Sequence, residues 1–508
     1  MTVPGLRTIR YGGLLAAGVL ALAGWLGGAL PHGDLAATPA SVWRGPHGPL
    51  ILGGWLAAAA TLAYLWWAVR DRVPSPRWAM TTITLWAAPF VAVPPMGSRD
   101  VYSYACQGHL FANGLNPYEA GVASLPCPWL DAVSPIWRDT PAPYGPLFVL
   151  IAAAAVLLGG SLTTVLLILR LLAVAGLLTI AACVPVLARR CGVPVQRALW
   201  VALAGPLVGM HLVGGPHNDA LMIGLVVAGL AVLVAGARHP ATQAAAGAIL
   251  GLAVAIKITA VVVVPFAILI AVRRPDQRAA AWPAAGRVAG ATGVTMLALT
   301  WASGLGIGWI SGLAHTQDLI QFTSPPTAIG MTLTYAGQPL LPGFDAVPAV
   351  RLLALFLLAA VLAGLWLRSA SDAGDPVRGA LHGAALASAA LIALAPSFHP
   401  WYLVFPLVLL GATTTRTDLV MAAGAAAALL VLPDGGGLAR FAKFPGAPLM
   451  TILLVVLVVH RLRRVPRGTR RIPAFRNPAR RSEPVGAGAG TAGPPAVEPG
   501  PQKPNLLV

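Results

Sequence analysis

Thr164-Val-Leu-Leu-Ile-Leu-Arg170-Leu-Leu-Ala-Val-Ala-Gly-Leu-Leu-Thr-Ile-Ala-Ala-Cys-Val-Pro-Val-Leu-Ala188 carries a single charge in twenty-five residues. A helix of that length outspans the roughly 30 Å hydrocarbon core of a bilayer, so this stretch predicts a transmembrane segment. The rest of the chain agrees. Of 508 residues, 57% are hydrophobic and only 10% are charged, with a mean hydropathy of +0.76. A soluble domain could not cover that much apolar surface. The fold class is therefore an all-α polytopic integral membrane protein. The net charge of +18 invites a nucleic-acid reading, but much of it sits in a tail where nine arginines and Lys503 oppose only Glu483 and Glu498. Nucleic acid is not an expected partner. Four cysteines without CxxC or Cys/His spacing support neither a zinc site nor a redox motif.

Working outward from the quoted stretch, Arg7 and Arg10 precede an apolar run from Tyr11 to Leu30, too long for a cleaved signal core and read as a retained span. Runs near 50–69 and 78–95 flank Arg70-Asp71-Arg72. The positive-inside rule puts these basic turns in the cytoplasm and the loop after residue 96 outside. Tyr144–Gly160 is too short to cross and, counted as a span, would send Arg189-Arg190 outward, so a re-entrant or interfacial helix is expected there. Further spans are expected near 198–214, 219–237, 242–257, 259–272, 283–303, 348–368, 379–396, 400–414, 417–432 and 446–460. That gives about thirteen to fourteen transmembrane helices in a multi-pass plasma-membrane protein, with Arg238, the Arg273-to-Arg278 turn, Arg368, Arg378 and Arg416 all inside. Residues 1–460 form the membrane domain, with an external loop of about 96–160. Residues 461–508, rich in Arg, Pro and Gly, form a disordered cytoplasmic tail. The start of that tail either touches anionic lipid headgroups or serves only as an orientation signal.

Polar residues that are costly in a membrane then gather on the outward side, where a site is sought. Ser98-Arg99-Asp100-Val101-Tyr102-Ser103-Tyr104 opens the external loop. Ser98 can cap a helix on which Asp100, Tyr104 and Gln107 recur at helical spacing, and Val101, Ala105, Gly108 and Ala112 make a small apolar face. An amphipathic helix lying along the membrane surface is expected, ending at Asn113-Gly114, with Asp100 as the candidate catalytic residue. The bland reading is that Arg99 and Asp100 merely pair at the boundary. Lys257 sits at the apex of a hairpin and either awaits a phosphate or snorkels to the interface. His217, Asn218 and Asp219 could meet sugar hydroxyls, or Asp219 could be only a helix cap. His399, Trp401 and Tyr402 suit a sugar site, an aromatic face packing on the ring, but also an interfacial aromatic belt. Arg170 is either a phosphate contact or, by preference, part of a structural pair.

These residues carry a resemblance. Ser98–Tyr104 with Gln107-Gly108, Asn116-Pro117-Tyr118, Asp139–Leu147, Pro216-His217-Asn218-Asp219-Ala220-Leu221, Ser324-Pro325-Pro326-Thr327-Ala328 and His399-Pro400-Trp401-Tyr402 are similar to motifs of the MptB-type polyprenol-phosphomannose-dependent α-1,6-mannosyltransferases of actinobacteria, in matching order from about residue 10 to 460. These belong to the C superfamily of integral-membrane glycosyltransferases. The resemblance implies a polyprenyl-phosphate-mannose donor, a lipid-anchored mannan acceptor such as a lipomannan core, and transfer with inversion on the outer face of the membrane. It implies that Asp100 is the base, with Arg99, Lys257 and His399 toward the donor phosphate. Tyr102, Tyr104, Gln107, His217, Asn218, Asp219, Trp401 and Tyr402 are then substrate-binding. No cofactor is required, though Asp100 and Asp219 could share a divalent cation. Cys106 and Cys127 share the external loop and can pair in an oxidising compartment if geometry allows. The same fold could use arabinose or glucose, and a lipid-linked-sugar flippase is the rival class. Against the flippase stand the lack of a convincing internal repeat and the one-sided polar residues.

Overall fold

The computed structural model describes residues 5–272, 281–315, 319–372 and 374–464. The expected basic turn at Arg273 to Arg278 lies outside the described residues, as does the expected tail 461–508 except for residues 461–464, which continue helix Lys443–Arg464 rather than beginning a disordered segment. Among those described, every regular element is helical, apart from one isolated bridge between Val431 and Gly437. Residues Met1–Leu457 form one compact unit, which contains the candidate site described below.

Among the described residues, seven helices are long and apolar enough to cross a membrane: Leu6–Gly27, Pro49–Val69, Leu162–Cys191, Asp219–Gly236, Val347–Ser371, Pro376–Leu394 and Lys443–Arg461. An eighth crossing results if Val195–Leu203 and Val208–Gly214, bent by 65°, count as one. This is fewer than the fourteen spans expected from hydropathy, and the reasons are local. The run at 198–214 breaks at Gly205-Pro206, as a proline that cannot continue the hydrogen-bond ladder demands. The run at 78–95 is the sixteen-residue helix Pro76–Val91, about 24 Å long at 1.5 Å per residue. The runs either side of Lys257 are the apolar helices Pro240–Ile256 and Ile258–Val272, also short. Helix Pro146–Gly159 has fourteen residues, about 21 Å, a length that fits a non-crossing segment.

The basic turns collect at one end. Arg197 pairs with Asp71 at 3.0 Å, Arg70 with Asp418 at 3.0 Å, and Arg190 grips both oxygens of Asp375 at 2.6 Å. Arg170, buried in the long helix Leu162–Cys191, donates to the carbonyls of Val91 (2.8 Å), Val213 (3.1 Å) and Gly214 (3.1 Å). It thereby satisfies carbonyls at the end of helix Pro76–Val91 and of the bent segment after Gly205, a structural role, with backbone carbonyls in place of the expected paired side chain.

Two glycines position the opposite end. Gly108 packs so tightly on helix Pro146–Gly159 that a Cβ there would stand 2.4 Å from the Ala152 carbonyl. Gly145 presses on Ala255 in the same way, at 2.2 Å, and donates its N–H to the Ile256 carbonyl at 3.1 Å. Together they pin the Asp100 helix to the segment that carries Lys257.

Candidate functional site

Asp100 begins helix Asp100–Ala112, its N–H donating to the Ser98 hydroxyl at 3.1 Å. The helix ends at Asn113-Gly114 as its sequence predicts. It does not lie on a surface, however: Val101 to Gly108 are all buried, because the polar loop folds back over it on one side and Pro146–Gly159 packs on another. A disulfide between Cys106 and Cys127, with Cα atoms 5.7 Å apart, holds that loop down, while Cys183 and Cys191 are free.

The chain's polar islands converge on Asp100. The carboxylate, with a 14% exposed side chain, lies 3.8 Å from Nδ1 of the fully buried His217. The Tyr104 hydroxyl meets the same Nδ1 at 3.2 Å, one helical turn beyond Asp100. Asp219 opens helix Asp219–Gly236 but spends its carboxylate on Lys257 Nζ, 2.9 Å from each oxygen, and makes no capping hydrogen bond. Lys257 is thus neither free nor snorkelling: it sits in the break between two helices, paired with Asp219 and 4.4 Å over the Tyr402 ring. Trp401 stacks on His217 at 3.9 Å and on His399 at 4.7 Å. With both imidazoles stacked on it, Trp401 is only 6% exposed.

The electrostatics follow from burial. Removal from water pushes the Asp100 carboxyl up to about 6; the Lys257 ammonium opposes this and the Asp219 carboxylate adds to it. Burial also holds the His217 imidazole well below its ordinary value, with the nearby His211 ring and the Lys257 charge adding to the effect. The imidazole is therefore neutral near pH 7, and Asp100 is an ionised carboxylate with unusually high proton affinity.

Other residues singled out in the sequence fall around this centre. Arg99 donates Nη1 to the carbonyls of Leu30 (3.0 Å) and Ala132 (3.2 Å), anchoring loops to either side of the Asp100 helix. Tyr102 is fully buried and donates to the Ala29 carbonyl at 2.5 Å. Gln107 is buried nearly two turns beyond Asp100. Asn218 lies beside His217 at 4% exposure, its amide atoms without partners among the described residues. Three neighbours were not foreseen as site residues. Tyr144 packs edge-on against Tyr104 at 5.2 Å, the Trp137 ring stands 6.4 Å from His399, and His211 packs 5.1 Å from Trp401. Tyr144 had a signal, since it stands in Pro143-Tyr144-Gly145-Pro146, where Gly145 makes the close approach to Ala255. Trp137 and His211 had none. Among the described residues, no three His, Cys, Asp or Glu side chains are grouped so as to hold a metal ion.

A helical membrane protein that gathers a basic carboxylate, a lysine–carboxylate pair and stacked aromatic rings at one end has the equipment of a membrane-bound transferase. Residues 10–273 match the family described as Alpha-(1->6)-mannopyranosyltransferase, N-terminal domain, and residues 326–460 match the MptB C-terminal domain. The chain is 33% identical to Alpha-(1->6)-mannopyranosyltransferase A of Mycobacterium tuberculosis, over 70% of this chain and 69% of that protein. It is 31% identical to Alpha-(1->6)-mannopyranosyltransferase A of Corynebacterium glutamicum, over 70% and 75%, and 28% identical to Alpha-(1->6)-mannopyranosyltransferase B of the same organism, over 76% and 68%. No solved structure matches. The chain belongs to the alpha-(1->6)-mannopyranosyltransferase family and is a membrane glycosyltransferase, a mannosyltransferase.

Proposed function

We propose that this enzyme transfers mannose from a polyprenyl-phosphate-mannose to the 6-hydroxyl of a lipid-anchored mannan, forming an α-1,6 linkage with inversion at the outer face of the plasma membrane. The observation that carries the mechanism is Asp100: a partly accessible carboxylate whose proton affinity burial has raised, set among aromatic rings and beside one cation. A base whose pKa lies near the operating pH is both ionised and strong enough to accept a hydroxyl proton.

The acceptor's 6-oxygen forms a bond to C1 of mannose as the bond from C1 to the phosphate oxygen breaks. The hydroxyl proton passes to Asp100, and the bonding pair leaves on the phosphate. Attack opposite a β-linked phosphate yields the α-mannoside. Phosphate is a weak base and needs no general acid, so one carboxylate suffices where glycosidases use two. Lys257 is the cation available for the developing charge; shared between Asp219 and the phosphate, it would stabilise the leaving group in a site sheltered from water. Two features support an outer-face site. The arginine-rich turns gather at the other end of the helices, the end the positive-inside rule assigns to the cytoplasm. The Cys106–Cys127 pair lies in the loop over Asp100, and disulfides persist in oxidising compartments.

The test is transfer of labelled mannose from polyprenyl-phosphate-mannose to a short α-1,6-mannoside, using membranes with wild type or Asp100→Asn at matched protein level. Transfer by the wild type and its loss in the variant are the expected results. Activity with another lipid-linked sugar instead would keep the base and overturn the donor.

A further inference from the structure

Ser324-Pro325-Pro326-Thr327-Ala328 opens helix Pro325–Gly337, and Ser324 and Thr327 are fully buried. Ser324 caps the helix, accepting the Thr327 N–H at 3.4 Å, and the two prolines occupy the first turn, where a missing N–H costs no hydrogen bond. Both hydroxyls also donate across 71 and 69 residues of sequence: Ser324 to the Ala395 carbonyl at 2.7 Å, and Thr327 to the Pro396 carbonyl at 2.7 Å. Arg351, on helix Val347–Ser371, donates Nε to the Thr327 oxygen at 3.0 Å, so the hydroxyl that holds Pro396 is itself held.

The two carbonyls begin the segment that leads to the aromatic stack. Ala395 leaves helix Pro376–Leu394 in an extended conformation, at the end where carbonyls have no intrahelical donor. Pro396 and Pro400 then fix φ at either end of Pro396-Ser397-Phe398-His399-Pro400, so the direction taken at Ala395-Pro396 is carried on with little slack. The Tyr402 N–H closes the following turn on the His399 carbonyl at 3.0 Å. From that turn Trp401 stacks on His217 at 3.9 Å, and the Tyr402 ring lies 4.4 Å from Lys257 Nζ. Two hydrogen bonds, a proline-bounded stretch and ring packing thus connect Ser324 and Thr327 to the groups beside Asp100.

We propose that Ser324 and Thr327 are positioning residues for mannosyl transfer: their hydroxyls seat the Ala395-Pro396 peptide and thereby set Trp401 and Tyr402 against His217 and Lys257. The proposal rests on the mannosyl-transfer reading for the reaction that is measured, whereas the seating of the segment does not depend on the donor. Thr327→Val removes the hydroxyl, and Thr327→Ser keeps it. Thr334→Val is the control, because Thr334 is a buried hydroxyl on the same helix whose partners are Gly330, Asp345 and Ala346.

In Thr327→Val, kcat per folded molecule should fall about ten- to hundredfold, the cost of displacing site groups by about 1 Å. Thr327→Ser should restore it, and Thr334→Val should lower the melting temperature while leaving kcat unchanged. A second readout, in purified full-length protein, needs no donor. Ser397→Cys places a thiol at a position that is 7% exposed, between the two prolines. Adding Thr327→Val should speed its labelling by a maleimide severalfold above the background from Cys183 and Cys191, and adding Thr334→Val should not. If Thr327→Val does not fold, Ser324→Ala, which leaves the Arg351–Thr327 bond intact, takes its place in both measurements. Labelling or kcat that stays unchanged when the hydroxyl is removed overturns the proposal. So does a loss of kcat that Thr327→Ser fails to restore or that Thr334→Val reproduces. Wild-type protein that transfers nothing from the mannose donor defeats the donor reading, while the labelling of Ser397→Cys still decides the seating.

Discussion

The two ends of this helical unit use charge in opposite ways. At the end with the basic turns, Arg190 meets both oxygens of Asp375, and Arg197 bonds Asp71, the Thr415 carbonyl and the Thr417 hydroxyl. Arg170, nearer the site, is likewise saturated with backbone carbonyls. At the Asp100 end, by contrast, polar atoms are left over. Asp100 makes no direct ion pair short of 3.8 Å, His217 Nε2 has no partner among the described residues, and neither do the Asn218 amide atoms. Buried polar groups are normally satisfied, since each orphan costs on the order of 1–3 kcal/mol. The incompletely satisfied groups lie at the end where the proposed site is.

Four experiments would break or sharpen this contrast. The largest effect is expected for Asp100→Asn, which should lower mannosyl transfer by about 10²–10⁴-fold, the range of a general base, with protein level unchanged. Transfer within tenfold of wild type would remove Asp100 from the base role. Next, Lys257→Met should destabilise the protein by about 3–5 kcal/mol by leaving Asp219 buried and unpaired. Adding Asp219→Leu should restore thermal stability but not transfer. At the other end, Arg197→Met should lower stability while activity per folded molecule holds. Equal behaviour of the two pairs would erase the distinction between them.

Smaller effects test the frame. Gly108→Leu forces a side chain into the Ala152 backbone and should cost about 1–3 kcal/mol, seen as a lower melting temperature in detergent or nanodiscs. The pH dependence follows from the raised Asp100 carboxyl. Above about 6 it is ionised and competent, and below it the proton blocks the base. The transfer rate should therefore be flat above that pH and fall about tenfold per unit as the medium becomes more acidic. A rate that rises on acidification would mean that the essential group acts as an acid.

Much of the candidate site was legible in the sequence, and unevenly so. Asp100, Tyr104, His217, Asp219, Lys257, Trp401 and Tyr402 stood out because polar and charged side chains in an apolar chain are conspicuous, and the structure brings them together. Arg99 and Tyr102 looked alike from sequence spacing, yet both are tied to backbone carbonyls. Trp137 carried no signal, because a tryptophan in a polar loop is unremarkable until the loop folds back. Span counting was the weakest step. Hydropathy sums over windows and does not register that Gly205-Pro206 bends one run by 65° or that the helix Pro76–Val91 has only sixteen residues.

By itself, then, the sequence determined that the chain is helical, that it lives in a membrane and which end of it is rich in arginine, because hydropathy and charge act residue by residue along the chain. Only the tertiary structure decided who partners whom. Lys257 meets Asp219 across 38 residues of sequence and His217 meets Asp100 across more than a hundred. Such contacts depend on how closely helices can approach, as at Gly108 and Gly145, and close packing is a property of facing surfaces rather than of any one stretch.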